Sequence, residues 1–118
     1  MDQRLNDDIL AKQGIKAENI ICVGGGSNSK LWLQTKADIM GVPVHTMETT
    51  EAGALGCAMI CAVALGVYKD SLEAAEHMSR LKDTFIPNSE YKNFYDEKFV
   101  LYKQLHSDID IYSKFATK

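Results

Sequence analysis

The chain has 118 residues, 46% hydrophobic and 25% charged, which is enough to bury a core and excludes a disordered tract. Its 13 Lys and Arg interleave with 16 Asp and Glu for a net charge of −3. That balance excludes the basic patch that nucleic acid or an anionic membrane surface demands, so neither is expected as a partner. The most apolar stretch, Ala52 to Val67, carries Gly53, Gly56 and Gly66 and is shorter than the roughly 20 residues of a membrane span. No basic start followed by an apolar run opens the chain, so no secretory signal is read. Cys22, Cys57 and Cys61 leave one odd thiol under any pairing, which points to a reduced, cytoplasmic setting. Cys57 and Cys61 share a helix face, but His45, His77 and His106 are scattered, so buried inert thiols are expected rather than a metal site.

In chain order, Leu5, Ile9 and Leu10 stand at helical spacing, predicting a helix over Asp2 to Gln13 with Gly14 just past its end. Asn19 to Val23 is a short apolar run stopped by three glycines, the pattern of a buried strand in a parallel sheet covered on both faces. Ser27, Asn28 and Ser29 all suit an N-cap, and a helix follows to Met40, stopped by Gly41 and Pro43. Its inner stripe is Leu33, Ala37 and Met40, widened by Trp32 and Ile39. Val42 to Met47 reads as a second strand. Thr49 or Thr50 can cap a helix over Glu51 to Leu65 that ends at Gly66; being apolar nearly all round, it is expected to be buried. Asp70 or Ser71 caps another helix reaching Leu81. After Pro87, Asn88 or Ser89 starts the longest helix, with a stripe of Tyr91, Tyr95, Phe99, Tyr102, Leu105, Ile109 and Tyr112. Such a helix reaches ~40 Å. It either breaks near Ser107 and Asp108 or packs on something beyond these residues. Two strands are too few for a stable sheet, so the whole of 1–118 reads as part of an α/β domain, few strands packed with several helices.

The segment with chemical content is Ile20 to Trp32, where a strand runs into Gly24, Gly25 and Gly26 and these open a helix. Glycine permits a sharp turn and lets a planar ligand approach the backbone. The unpaired N–H groups of the new helix then face the ligand, with Ser27, Asn28 and Ser29 beside them. A nucleotide fits such a loop; a bare turn without a ligand is the plainer alternative. A Rossmann NAD site wants glycine at the sixth loop position, where Ser29 stands, and Glu48 is weak support as its acidic partner. A P-loop is excluded, because no Gly-Lys-Ser/Thr follows at the required spacing.

Three ordered stretches carry a resemblance: Val23-Gly-Gly-Gly-Ser-Asn-Ser-Lys-Leu-Trp32, Ala37-Asp-Ile-Met-Gly-Val-Pro-Val44 and Glu51-Ala-Gly-Ala-Leu-Gly-Cys-Ala58. With Ala62 to Tyr68, Leu72 to Ala75 and the Pro87 to Tyr102 tail, they resemble the C-terminal domain of FGGY carbohydrate kinases, xylulokinase-like in pattern, over nearly the whole chain. The resemblance implies a ribonuclease-H-like domain of the actin–hexokinase type, with ATP and sugar in a cleft between two such domains. It implies ATP-dependent phosphorylation of a ketose or related carbohydrate, with the backbone of Gly24, Gly25, Gly26, Ser27, Asn28 and Ser29 bordering the adenosine. Asn28 or Ser29 would supply the polar contact. The Glu51 to Gly66 helix would support the loop, with Gly53 and Gly56 allowing close packing beneath it. Lys30 is read as a solvated lysine and Trp32 as a packed aromatic rather than a base-stacking platform.

Phosphoryl transfer needs a base, phosphate loops and magnesium. In the family these lie upstream of the matched region, and no Asp-Gly-Thr turn occurs here. The expected partners are therefore ATP or ADP, Mg2+ held mainly by the phosphates and the missing part, the sugar, and the missing N-terminal domain. The 118 residues alone are expected to be inactive, and homodimerisation through the exposed parent interface is open. An isolated nucleotide-binding or inert structural piece is the alternative, and a Rossmann-type NAD-binding piece a weaker one.

Overall fold

The computed structural model describes residues 1–116, with side chains as far as residue 109. The order is α1 (Asp2–Ala11), β1 (Ile20–Cys22), a 3-10 turn (Gly25–Asn28), α2 (Lys30–Met40), β2 (Val44–Met47), α3 (Ala52–Ala64), α4 (Ser71–Met78), β3 (Leu81–Phe85), a second 3-10 turn (Ser89–Tyr91) and α5 (Lys92–Ala116). The three strands lie in the order β1-β2-β3. β1 pairs parallel with β2, and β2 antiparallel with β3, in a register that sets Ile20, Val44 and Phe85 side by side.

That register defines the core. Side chains alternate across a strand, so Ile20, Val44 and Phe85 share one face, and α2 lays Leu33 and Ala37 onto it. Gly41, at φ 70°, closes α2 as the sequence predicts, its N–H reaching the Ala37 carbonyl. α5 packs on α2 and buries Phe99, which the guanidinium of Arg4 from α1 covers at 4.5 Å. One face of the sheet is thus covered by helices. The other is open: Ile21 and Val23 are about half exposed, and Leu81 beside them is also exposed. The expectation of a sheet covered on both faces is corrected, because among the described residues α3 and α4 pack chiefly on each other instead of across it.

Other expectations are corrected by the same geometry. α3 buries none of its residues, although it is apolar all round, since α4 touches only one side of it. Cys57 and Cys61 on it are exposed rather than buried. Neither Thr49 nor Thr50 caps it; Thr49 instead accepts the Glu51 N–H, and the helix starts without a side-chain cap. α4 is capped by Asp70 as predicted, but it stops at Met78, and Leu81 opens a strand. α1 ends at Ala11, and Ile9 and Leu10 are exposed; its inward face carries Arg4 and Leu5.

α5 runs unbroken as the last helix, about 38 Å at 1.5 Å per residue. Of its stripe, Phe99 is buried and Tyr95 and Tyr102 half-buried, while Tyr91, Leu105 and Ile109 are exposed. Tyr112 lies outside the described side chains. A helix of this length overruns the three-stranded sheet, and the radius of gyration of 18.5 Å exceeds the ~13–14 Å of a compact domain this size.

Charged contacts hold α1 to α5. Lys92 and Arg4 both donate to the Asp96 carboxylate, and these bonds hold its pKa below the ordinary value of 3.8. Lys103 reaches Asp8 at 3.6 Å. A folded-state pKa below the unfolded one means stabilisation that is full above about pH 4 and fades as pH falls through the lower value. Asp96→Asn is therefore expected to flatten the fall of Tm on acidification below about pH 4. Superimposable acid limbs for the two proteins would show that these bonds add nothing to stability.

Candidate functional site

The loop from Gly24 to Ser29 sits where β1 delivers the chain to α2. Gly24 has φ 84° and ψ −173°, a region essentially closed to residues with a Cβ. Its carbonyl accepts two bonds from one residue, the Ser27 N–H at 3.0 Å and the Ser27 hydroxyl at 2.7 Å. The chain thereby turns through a tight 3-10 segment before the helix begins. Ser29 adopts the extended backbone of an N-cap and its Oγ accepts the Trp32 N–H at 3.3 Å. The first-turn N–H groups of Lys30 and Leu31 have no partner among the described residues. Space above the loop is open: a Cβ built on Gly24 or Gly25 meets nothing within 4 Å.

The six residues named from the sequence thus form one continuous loop but differ in what they have left to offer. Ser27 and Ser29 spend their hydroxyls on the backbone of the turn and the cap. Asn28 is exposed, with no side-chain bond among the described residues. Gly24 alone of the three glycines has a positive φ; Gly25 and Gly26 are placed by the 3-10 turn. Behind the loop, the Lys36 amine donates to the Cys22 thiol at 3.3 Å, tying α2 to the end of β1.

Gly53 and Gly56 do not pack beneath this loop, contrary to the sequence reading: a Cβ at either position meets nothing within 4 Å. Close packing requires a facing element, and among the described residues α3 packs chiefly on α4. Trp32 is likewise not packed. It is 57% exposed, with its indole edge beside Gly26. Lys30 is exposed. Asp38, which spacing placed within a helix without assigning it a task, is buried at 8% exposure. Its Oδ1 accepts from Gln34 Nε2 and from the Asn88 N–H, both at 2.8 Å, fixing the start of α5 to α2. No helix among the described residues is long and apolar enough to cross a membrane.

The first strand of the α/β sheet thus runs through a glycine turn into a capped helix. The family model described as "FGGY family of carbohydrate kinases, C-terminal domain" matches residues 2–65, and the chain belongs to that family. The chain is 37% identical over 95 residues to an autoinducer-2 kinase of Yersinia pestis (strain Pestoides F), which spans 80% of this chain and 18% of that protein. Among solved structures, a ligand-bound xylulose kinase from Lactobacillus acidophilus superposes with a TM-score of 0.75 at 26% identity, over 81% of this chain and 19% of that one. A gluconate kinase from the same organism gives 0.74 at 26% identity, over 80% and 19%. A xylulose kinase from Rhodospirillum rubrum gives 0.77 over 94% and 22%, at 19% identity, and so speaks for the fold alone. The α/β class expected from the sequence is the one these kinases share. The chain spans about a fifth of the length of the relatives it matches.

Proposed function

We propose that these residues form part of the C-terminal ATP-binding domain of a kinase that transfers the γ-phosphoryl of ATP to a hydroxyl of a ketose or related carbohydrate. In that reading, residues 24–29 border the adenosine. The observation that carries the proposal is the Gly24 turn, whose positive φ and open upper surface hold a peptide edge and a helix start toward solvent, in a chain of this family. Asn28 supplies the polar contact, since Ser29 is engaged as the cap of α2. The residues present fit the adenosine end of ATP, because a flat ring and ribose can approach Gly24 and Gly25 without meeting a side chain.

The other end of the nucleotide belongs elsewhere. No group of three His, Cys, Asp or Glu gathers for a metal among the described residues, so Mg2+ is assigned to the phosphates and to further residues of the whole kinase. The base that takes the proton from the sugar hydroxyl, and the sugar contacts, are assigned there too. This chain's own part is to hold and orient the nucleotide, which lowers the barrier by positioning rather than by bond chemistry.

The test is a titration of the 15N-labelled chain with ATP, ADP and NAD. Amide shifts confined to Gly24–Ser29 and the first turn of α2 are expected with ATP and ADP, with NAD no better than ADP. Larger shifts with NAD would move the assignment to a dinucleotide site. Silence at millimolar ATP would withdraw the adenosine role.

A further inference from the structure

Cys22 ends β1 two residues before Gly24, and it packs against the core formed by Leu33, Ala37 and Val44. Lys36 stands on α2 next to Ala37 and one turn beyond Leu33, on the border of the same face. It is half-buried, and its Nζ meets the Cys22 Sγ at 3.3 Å, although the two residues are 14 apart in the chain. A nucleophilic sulfur and an amine nitrogen are thus in contact across the joint between strand and helix. We propose that the pair is a redox latch: when a hydroperoxide oxidises Cys22, the Lys36 amine closes on the sulfur. The resulting sulfur–nitrogen bond, a sulfenamide, joins β1 to α2 at the foot of the glycine loop and makes the loop responsive to oxidant.

The chemistry closes with one equivalent of oxidant. The Cys22 sulfur attacks a peroxide oxygen, the O–O bond breaks, and the departing oxygen takes the thiol proton; hydrogen peroxide gives a sulfenic acid and water. Sulfur loses two electrons and the peroxide gains them. The unprotonated Lys36 nitrogen then attacks the sulfur, the S–O bond breaks, and the hydroxide leaves with one amine proton as water. A dithiol reverses the link, becoming a disulfide as thiol and amine are restored. Geometry selects this outcome among the fates of a sulfenic acid, which are a disulfide with a second thiol, condensation with a nitrogen, or further oxidation. Cys57 and Cys61 lie on α3, which packs chiefly on α4, whereas Lys36 already touches the Cys22 sulfur. On the core side Leu33, Ala37 and Val44 offer no reactive group. Cys57 and Cys61 are exposed and have no side-chain bond among the described residues, so they serve as internal controls for thiols without an amine beside them.

The experiment exposes the chain to hydrogen peroxide, alkylates the remaining thiols and maps tryptic peptides by mass spectrometry. The expected product joins the peptide containing Cys22 to one left uncut after Lys36, lighter than their sum by two hydrogen atoms. Dithiothreitol is expected to restore both peptides. Lys36→Arg keeps the positive charge and lacks the amine nucleophile; it is expected to abolish the linked peptide and to leave a Cys22 sulfenic acid that dimedone captures. Circular dichroism checks that this variant folds. In the 15N-labelled chain, the amides of Gly24–Ser29 are expected to shift on oxidation and to return with dithiothreitol, and to respond less in Lys36→Arg. Oxidation of Cys22 without a link to Lys36, or an unchanged peptide map in Lys36→Arg, would overturn the latch. A link that leaves the loop amides unmoved would overturn its coupling to the loop. None of these readouts involves a nucleotide, so the outcome is independent of the adenosine reading.

Discussion

Gly24→Ala is expected to destabilise the chain by about 1–3 kcal/mol, the range for holding a residue with a Cβ in a conformation reserved for glycine. The cause lies in the backbone: φ 84° brings an L side chain against the carbonyl of the preceding residue, however much room surrounds it. The surroundings are in fact empty, so no steric relief is available from a moving neighbour. The structure separates this from an effect of glycine in general. Gly25 and Gly26 have no positive φ, and a Cβ on Gly26 would make only ordinary contact with Trp32. Gly25→Ala and Gly26→Ala are therefore expected to shift stability by no more than about 0.5 kcal/mol. Urea unfolding of the three variants distinguishes them. Equal midpoints for all three would mean that the turn relaxes freely and that its geometry is not held by the fold. If the adenosine reading is right, Gly24→Ala also abolishes the ATP-dependent shifts of the loop, because the two bonds to the Gly24 carbonyl lose their alignment.

Asp38→Ala is expected to cost about 2–3 kcal/mol, the scale of removing hydrogen bonds to a buried charged acceptor. The carboxylate is the joint between α2 and the entry to α5. Without it, the Asn88 N–H and the Gln34 amide both lose their acceptor in a partly buried setting. Gln34 retains its second bond, to the Ile86 carbonyl at 2.8 Å, so the link weakens without vanishing. Asp38→Asn keeps an acceptor oxygen of the same shape and is expected to recover more than half of the loss. Denaturant midpoints give the magnitude, and limited proteolysis between Phe85 and Lys92 gives the location. A loss in Asp38→Ala below about 0.5 kcal/mol, the level of an ordinary surface change, would show that packing of Phe99 alone holds α5 in place.

Several features were legible in the residues before any coordinates. The Asn19–Val23 run, the three glycines, the Ser29 cap and the Gly41 stop all act within a few residues of each other. Their conformational preferences are local, so the sequence locates β1, the turn and α2 to within a residue or two. Leu33 and Ala37 were readable for the same reason, since helical spacing fixes which side chains share a face. The order of motifs likewise carried the kinase family, and the match over residues 2–65 agrees with it.

β3 was not legible, and its residues explain why. Leu81-Lys-Asp-Thr-Phe85 has apolar residues only at its ends, and all but Phe85 are exposed. An edge strand of this kind is held by backbone bonds to β2 and tolerates charge, so its side chains carry little of the alternation that marks a strand. The side-chain tasks of Asp38 and Arg4 were equally hidden. Each depends on a partner brought close by folding: the Asn88 amide 50 residues on, the Phe99 ring 95 residues on.

What the sequence by itself determined is the local grammar of the chain: one glycine turn between a strand and a capped helix, the face of α2 that seeks a core, and the family to which the motifs belong. What only the tertiary structure decided is exposure. Periodicity says which residues of α3 and α5 are apolar, but not whether another element lies opposite them, and among the described residues α3 packs chiefly on α4 and the far face of the sheet stands open. Burial is a property of two surfaces, and a sequence pattern describes one of them.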